Sequence, residues 1–180
     1  MPKNPNFANR GSALEALIEL ANGQYRNRGI ATIHKVPTAW IPIRDGSGRI
    51  VTAKVDRKAS VDFLGVYRGR GVAFDAKHTD GARIRWDRVE LHQAEFLDGW
   101  ERAGGVAFIL VQFGGASDAC HVIPWGEWRE ARDRWNRFGA PASVAQSGLI
   151  EGGRVGRSRQ GIALDYLAVV DDLWPWAEVG

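Results

Sequence analysis

Residues 61–77 read VDFLGVYRGRGVAFDAK, and this stretch decides the fold. Val61–Tyr67 and Gly71–Lys77 are two short apolar runs of the kind that favours β-strands. The link between them is so short, and so rich in glycine, that it predicts a tight turn. The stretch therefore predicts an antiparallel β-hairpin with one aspartate in each strand, Asp62 and Asp75.

Apolar patterns on both sides of this hairpin predict the elements that cover it. Upstream, residues 12–28 have helical spacing, with Ser12 as the cap and Gly29 as the terminator, and residues 30–36 form a strand. The downstream predictions are, in order, a helix over 88–103, strands over 106–113 and 119–123, a Trp-rich helix over 124–138, a mobile basic loop over 139–161 and an apolar stretch over 162–170. The expected fold class is α/β, with a mixed β-sheet flanked by helices in a single domain over residues 1–180.

Residues 37–58 differ from the flanking segments in their residue pattern. Two short alternating runs flank the turn sequence Asp45–Gly48, which predicts a second hairpin. Pro37 and Pro42 favour a sheet edge or an arm over a sheet centre, because proline donates no hydrogen bond to a strand ladder. We expect this hairpin to project from the sheet.

Asp62, Asp75 and Lys77 carry the strongest chemical signal. An ionised carboxylate in an apolar strand is costly unless it is paired or bound to a metal. Because Asp75 and Lys77 lie two residues apart in one strand, they share a face, and the hairpin can bring Asp62 to the same end of the sheet. Two carboxylates select a hard cation, Mg²⁺ or Mn²⁺, and an ammonium beside them is typical of metal-dependent phosphodiester cleavage. The pattern alone also fits a structural ion pair, with Asp62 as a strand-end cap.

Glu15 and Gln93 are weaker candidates with two interpretations each. Glu15 lies three residues after Ser12, so local rules favour a capping-box glutamate, although it also borders the apolar helix face and can turn toward a metal. Gln93 can support a ligand or contact a DNA phosphate, but a solvated helix face is the favoured interpretation.

Composition and charge exclude several classes of protein. The net charge is +3, but the basic residues are concentrated in residues 1–90 and the acidic residues in 91–180, which suggests that one face meets a polyanion. The apolar run Val106–Val111 is far shorter than the roughly 20 residues of a membrane-spanning helix. The single cysteine excludes an internal disulfide, so a cytoplasmic location is expected, and the four histidines lack the paired spacing of a zinc site.

A set of short motifs runs in order along most of the chain. The motifs are NRG at 9–11, LE at 14–15, IHKVPT at 33–38, DFLGVYRG at 62–69, FDAK at 74–77, HQ at 92–93, GG at 104–105, IP at 123–124 and DY at 165–166. Together they resemble the RecU family of Holliday-junction resolvases. Asp75 departs from that pattern, because relatives often carry glutamate there, and the hairpin at 37–58 is shorter than in relatives.

The resemblance implies a restriction-endonuclease-like fold of the PD-(D/E)xK type. It also implies a homodimer that nicks two opposed strands of four-way junction DNA with Mg²⁺ or Mn²⁺, and a stalk at 38–58 that enters the junction. The family's catalytic positions would fall on Glu15, Asp62, Asp75 and Lys77, with the three acids as metal ligands.

The expected function is therefore a Holliday-junction resolvase whose affinity comes from phosphate contacts and whose selectivity comes from junction shape. The alternatives are a nuclease for other branched or duplex DNA, and a junction-binding architectural protein without activity. Besides Gln93, the candidate DNA-binding residues are basic: Arg10, Lys35, Arg44, Arg49, Lys54, Arg157 and Arg159.

Overall fold

A computed structural model describes the backbone of residues 5–57, 59–114, 119–149, 153–156 and 161–174, and the side chains of these residues except 5–10, 40 and 55–57. The helices are α1 (Pro5–Asn27), α2 (Leu91–Arg102), α3 (Trp125–Phe138) and α4 (Tyr166–Leu173). The strands are β1 (Ala31–Lys35), β2 (Ala39–Arg44), β3 (Ile50–Arg57), β4 (Phe63–Tyr67), β5 (Arg70–Thr79), β6 (Arg83–Arg85), β7 (Val106–Phe113), β8 (Cys120–Pro124) and β9 (Ser143–Ala145). Within these residues, the model contains no helix that combines the length and the apolarity needed to cross a bilayer.

A five-stranded sheet with the order β1-β4-β5-β7-β8 forms the centre of the molecule. Strands β5 and β7 run parallel, whereas the other neighbours are antiparallel, so the predicted mixed sheet is confirmed. Helix α2 makes the crossover between the two parallel strands, because parallel neighbours need a long connection. Strand β7 is buried along almost its whole length, which explains its continuous apolar sequence.

Helices cover both faces of this sheet, and each face has its own apolar core. On one face, α1 and α4 pack against alternate strand residues; this core includes Leu14, Ile18, Phe63, Phe74, Phe108 and Tyr166. On the other face, α2 and α3 pack against the intervening residues; this core includes Ala73, Leu97, Ile109, Trp125 and Trp128. The predicted helix-flanked α/β architecture is therefore confirmed.

The hairpin predicted from residues 61–77 is the β4–β5 pair. Its turn places Arg68 at φ 47° and Gly69 at φ 75°, the backbone of a two-residue turn that matches strand twist. The register pairs Phe63 with Phe74, and their rings stack 5.0 Å apart. One step further along the same register, Asp62 stands opposite Asp75, immediately before β4 rather than inside it.

Strands β2 and β3 form a separate two-stranded sheet, as predicted for residues 38–58. The side chain of Asp45 closes its turn by accepting hydrogen bonds from the backbone N–H groups of Ser47 and Arg49, at 2.9 and 3.1 Å. Ile50 and Val51 are each 54% exposed, because the strands pair only with each other. The hairpin is therefore a separate unit attached to the central sheet by the chain on either side.

Helix α1 begins at Pro5, so the predicted start at Ser12 is wrong. Proline is well tolerated in a first helical turn, where its missing N–H has no helical partner to lose. Because Ser12 lies inside the helix, it is not an N-cap. The capping-box interpretation of Glu15 is therefore wrong as well.

Two further predictions need correction. The predicted helix over 88–103 is a short 3₁₀ turn at Trp86–Arg88 followed by α2, with Glu90 as the N-cap residue. Part of the predicted loop over 139–161 is ordered as β9, which pairs with β6. A three-residue strand carries too little alternation to be read from sequence. Residues 150–152 and 157–160 of this loop lie outside the described residues.

Candidate active site

Asp75 is the centre of a polar cluster on the face of the sheet covered by α2. Its side chain is 0% exposed. The strand that carries it, β5, lies between β4 and β7 in the central sheet, and both of these strands are apolar. Oδ1 accepts a hydrogen bond of 2.7 Å from Nε2 of Gln93, and Oδ2 forms an ion pair with the ammonium of Lys77. Burial raises the pKa of Asp75 to about 7; the ammonium of Lys77 opposes this shift, and the negative charge of Asp62 adds to it.

Asp62 reaches the same cluster from the neighbouring strand. Its Oδ2 accepts a hydrogen bond of 2.9 Å from the backbone N–H of Ala76, and its carbonyl accepts one of 2.8 Å from the N–H of Val36. Residues directly opposite in an antiparallel pair share a face, which explains why Asp62 and Asp75 lie together. The predicted convergence of the two aspartates is therefore confirmed in its geometry.

Lys77 lies on the same face as Asp75, as strand alternation predicts. Its side chain is 14% exposed, and Nζ lies 3.3 Å from Oε1 of Gln93 in addition to its ion pair with Asp75. A cation held between a carboxylate and an amide oxygen is fixed in position. It can therefore orient a reacting group rather than sample solvent.

Gln93 is 8% exposed, so the favoured interpretation of a solvated helix face is wrong. The structure places this side chain between Asp75, Lys77 and the N-terminus of α2. Its burial follows from helical spacing, because Gln93 lies four residues before the buried Leu97 and so shares the face of α2 that packs on the sheet. Gln93 therefore has little surface to offer a DNA phosphate.

Glu15 borders the cluster but approaches from the opposite side of the sheet, because α1 packs on the other face. Its Oε2 lies 2.7 Å from Nζ of Lys35, which is also 3.2 Å from Oε1 of Glu19. The bond to Glu15 raises the pKa of Lys35 by stabilising its ammonium. The described residues contain no group of three acidic, histidine or cysteine side chains close enough to hold a metal ion. Glu15 therefore lies near the aspartates but does not form a metal-ligating group with them in the described structure.

A cavity of about 490 Å³ opens at this end of the sheet. Glu15, Asp62 and Lys77 are among the residues that line it. The other lining residues are Gly11, Ala76, His78, Thr79, Asp80, Gly81 and Arg88. Asp62 and Lys77 are therefore open to a group bound in the cavity, whereas Asp75 does not line it.

Arg88 is a basic cavity residue that the sequence analysis did not select. Its guanidinium donates a 3.3 Å hydrogen bond to the carbonyl of His78, which holds it at the rim. Arg88 follows the end of β5 at Thr79 by a short segment. Its closeness in sequence to strand β5 was therefore the signal that it could lie near the same edge of the sheet. A guanidinium at this rim is suited to a phosphate oxygen.

The predicted DNA-binding residues lie in two regions. Arg44 and Arg49 flank the turn of the β2–β3 hairpin, where Arg44 donates a 2.8 Å bond to the Gly48 carbonyl and Arg49 lies 3.5 Å from Asp45. Lys54 is exposed on β3, whereas Lys35 is close to the cavity. The side chain of Arg10 and residues Arg157 and Arg159 lie outside the described part of the chain.

Comparison with known proteins gives consistent matches along the chain. The family model for recombination protein U matches residues 9–172. The Holliday junction resolvase RecU of Geobacillus kaustophilus is 31% identical over 180 residues, covering 94% of this chain and 86% of that protein. The RecU of Geobacillus sp. strain WCH70 is 29% identical, covering 96% and 88%.

Among solved structures, the Holliday junction resolvase Hjc of Archaeoglobus fulgidus matches 61% of this chain and 77% of its own, at 12% identity and a TM-score of 0.37. The family match spans the candidate site and nearly all of the described elements. The chain belongs to the RecU family.

Proposed function

We propose that the protein is a Holliday-junction resolvase, a crossover junction endodeoxyribonuclease that hydrolyses phosphodiester bonds with Mg²⁺ or Mn²⁺. It acts as a homodimer on four-way junction DNA in the cytoplasm, with residues 1–180 forming one nuclease domain. The observation that carries the proposal is the buried Asp75 carboxylate, held beside Asp62 and Lys77, which both line an open cavity. RecU relatives with this activity in their names align over most of the chain.

The residues present fit a divalent cation. Asp62 and Asp75 supply two hard oxygen donors, and burial leaves the Asp75 carboxylate poorly solvated, so a nearby positive charge would stabilise it. Mg²⁺ is commonly bound through one or two carboxylates, with water and substrate phosphate completing its coordination. The absence of a third acidic ligand in the described cluster therefore suits a cation that also binds DNA. When bound, the cation supplies an activated water and charge neutralisation at phosphorus.

The side chains around the cavity divide the remaining tasks. Lys77, fixed by two oxygen partners, is placed to orient an attacking water and to stabilise negative charge that grows on the phosphate. Arg88 at the rim is placed to bind a phosphate oxygen of the cut strand. Glu15, which lines the cavity and pairs with Lys35, can accept a proton or a water hydrogen bond.

Binding and shape selection belong to other parts of the surface. The projecting hairpin with Arg44, Arg49 and Lys54 can contact phosphates near the junction centre. In a homodimer, two equivalent cavities would meet two opposed strands of a nearly two-fold junction. Each subunit would then cut one strand and leave a symmetric pair of nicks.

The test compares labelled four-way, flap and linear duplex DNA with and without Mg²⁺. We expect paired symmetric nicks on the four-way substrate only, and only with the cation. Asp75→Asn should keep its affinity for the junction and lose cutting by more than about 100-fold, since this change removes a ligand rather than an outer hydrogen-bond partner. Cutting of flaps or duplex at equal rates would identify a different nuclease, and binding without cutting would identify an architectural protein.

A further inference from the structure

The strand pair β6–β9 adjoins the candidate active site, and the proposed function assigns it no role. We call its residues, Arg83–Arg85 and Ser143–Ala145, the β6–β9 ribbon. Strand β5 ends at Thr79, which lines the cavity, and Oγ1 of Thr79 donates a hydrogen bond of 2.8 Å to the carbonyl of Arg83. The ribbon is therefore joined to the cavity wall at the end of the strand that carries Asp75.

The outer face of this ribbon presents two arginines. Ile84 is 2% exposed and packs in the core beneath α2 and α3, so its neighbours Arg83 and Arg85 point away from that core and are exposed. Because a strand advances about 3.3 Å per residue, the two side chains leave the backbone about 6.6 Å apart. Both arginines therefore lie on one surface next to the cavity, and they differ in the groups that hold them.

Arg83 is held in place by neutral oxygen atoms. Its Nε donates to Oγ of Ser143 and its Nη2 donates to the carbonyl of Ser143, each at 3.1 Å. No carboxylate of the described residues forms an ion pair with this guanidinium. These bonds use two of the five N–H groups of a guanidinium, so the side chain is fixed while its charge remains available to a ligand.

Arg85 differs from Arg83 because an acid neutralises it. Its Nε and Nη2 both donate to Oδ2 of Asp87, at 3.1 and 2.6 Å. These bonds hold the pKa of Asp87 below its ordinary value. The guanidinium also lies 5.9 Å from the ring centre of Trp135. The positive charge that the ribbon offers to a partner is therefore that of Arg83.

We propose that the β6–β9 ribbon is a DNA-contact surface on which Arg83 binds a backbone phosphate of the duplex arm beside the cut site, an inference that rests on the proposed function. A DNA strand with its scissile phosphate in the cavity must leave over one of the cavity walls, and its next phosphates follow at about 3.4 Å of helix rise each. A fixed guanidinium suits such a phosphate, because arginine can donate two parallel hydrogen bonds to its oxygens.

The position of this contact defines what it adds to recognition. Phosphate contacts carry no sequence information, and the arm beside the cut site is a duplex in linear and four-way DNA alike. Arg83 should therefore strengthen binding to both kinds of DNA by the same factor. The selection of four-way junctions is then left to other parts of the surface, such as the β2–β3 hairpin.

The test measures binding of the protein to four-way and linear duplex DNA in EDTA over a range of salt concentrations. Arg83→Gln keeps an amide that can donate to Ser143 but removes the charge. We expect this variant to bind both DNAs about 10-fold more weakly than the wild type, because a homodimer loses one exposed ion pair in each subunit. The slope of log affinity against log salt concentration should become shallower by about 1.8, since each lost phosphate contact accounts for about 0.9.

Two matched controls separate the contact from net charge and from the fold of the ribbon. Arg26→Gln removes the same charge from the exposed last turn of α1, roughly 16 Å along that helix from Glu15 at the cavity. The double variant Arg85→Gln with Asp87→Asn removes a neutral pair from the same part of the ribbon. Both controls should keep the affinity and the salt slope of the wild type.

Wild-type affinity and slope in Arg83→Gln would overturn the proposal. An equal loss in Arg26→Gln would assign the effect to net charge, an equal loss in the double variant would assign it to the fold of the ribbon, and a loss confined to four-way DNA would place Arg83 at the junction centre. Each of these results would overturn the arm contact as well.

Should Arg83→Gln fail to fold, the wild type still decides. The Nε–H resonance of Arg83, which is held by Ser143, must shift on addition of linear duplex DNA in EDTA, and an unmoved resonance would reject the contact. A wild-type protein that binds DNA through Arg83 but does not cut junctions with Mg²⁺ would instead contradict the proposed function and leave the ribbon contact standing.

Discussion

The carboxylate of Asp62 combines a charge with a structural hydrogen bond, and two substitutions separate them. Asp62→Asn keeps an oxygen that can accept from the N–H of Ala76 but removes the negative charge beside Asp75. We expect this variant to unfold at the wild-type temperature and to lose metal-dependent cutting. Asp62→Ala should lose cutting too, and its free energy of unfolding should fall by about 1–3 kcal/mol, because a partly buried N–H is left without an acceptor.

Thermal unfolding of both variants without metal, together with a junction-cutting assay, measures the two effects. The matched control is Asp45→Asn in the β2–β3 turn, which also accepts backbone hydrogen bonds but lies far from Asp75 in the chain. Wild-type cutting by Asp62→Asn would show that Asp62 serves the fold alone.

The raised pKa of Asp75 makes stability depend on pH in a defined direction. Because burial raises this pKa from 3.8 to about 7, the folded protein holds a proton that the unfolded chain has already released between these values. The stabilisation that this bound proton gives to the folded protein is fully present below the unfolded-state pKa of 3.8. It is lost as the pH rises through about 7, and it amounts to a few kcal/mol in order of magnitude. In EDTA, the wild type should therefore lose stability between pH 5 and about 8 more steeply than Asp75→Asn.

Melting temperatures of the two proteins across this pH range check the expectation. Addition of Mg²⁺ at the upper end should restore the wild type and leave the variant unchanged, since only the wild type has the full carboxylate set. Parallel pH profiles for the two proteins would mean that Asp75 does not govern this titration.

Individual site residues differ in how far the sequence determines them. Alternation along β5 and the short turn at Arg68–Gly69 suffice to place Asp62, Asp75 and Lys77 together, because both rules are local. The spacing of Gln93 from Leu97 and Trp100 places it on the buried face of α2, but periodicity does not tell which groups a buried amide contacts. Its buried bridging position is a product of tertiary packing.

At the scale of elements, the β2–β3 hairpin can be deleted without removing a strand of the central sheet. Its strands pair only with each other, and Ala39 stands opposite Arg57, so the chain ends at its base are adjacent. Replacing residues 40–55 with a two-glycine link should leave the central sheet and the oligomeric state unchanged. We expect junction cutting to fall by at least about 10-fold, because phosphate contacts and shape recognition are lost together.

A companion variant separates these two contributions. Arg49→Ala with Lys54→Ala keeps the hairpin but removes two exposed charges, and it should weaken junction binding with a shallower dependence on salt concentration. Unchanged junction resolution by the deletion variant would remove the hairpin from substrate recognition. Binding titrations at several salt concentrations, with circular dichroism as the folding control, provide the measurement.

Elements were predictable from sequence in proportion to their length and regularity. Strand β7 and helix α3 have the predicted positions because a continuous apolar run and a Trp-rich helical pattern are strong signals. The β6–β9 pair joins two three-residue strands far apart in the chain, which no local rule detects. The start of α1 was misplaced because Ser12 has the chemistry of a cap without the position of one.

At the scale of the whole molecule, the site takes its residues from both faces of the central sheet. Asp75 and Lys77 contact Gln93 of α2, whereas Glu15 of α1 and its partner Lys35 approach from the other face. The cavity joins the two groups at the end of the sheet. A substrate bound there would contact both layers, so the relative position of the helices on either side of the sheet determines the geometry of the reaction.

The proposed homodimer predicts how subunits cooperate on one junction. If each subunit cuts one strand, a dimer of one wild-type and one Asp75→Asn subunit should nick a single strand, because the variant cavity lacks its buried carboxylate while the scaffold is intact. Mixing the two proteins under conditions of subunit exchange should therefore reduce doubly nicked product as the square of the wild-type fraction, while total nicks fall in direct proportion to it. A symmetric junction labelled on both opposed strands distinguishes the two products. If one cavity cut both strands in turn, mixed dimers would also give doubly nicked product, which would then follow 1 − (1 − f)² for a wild-type fraction f and stay above a straight line; that result would rule out the two-fold arrangement of active sites.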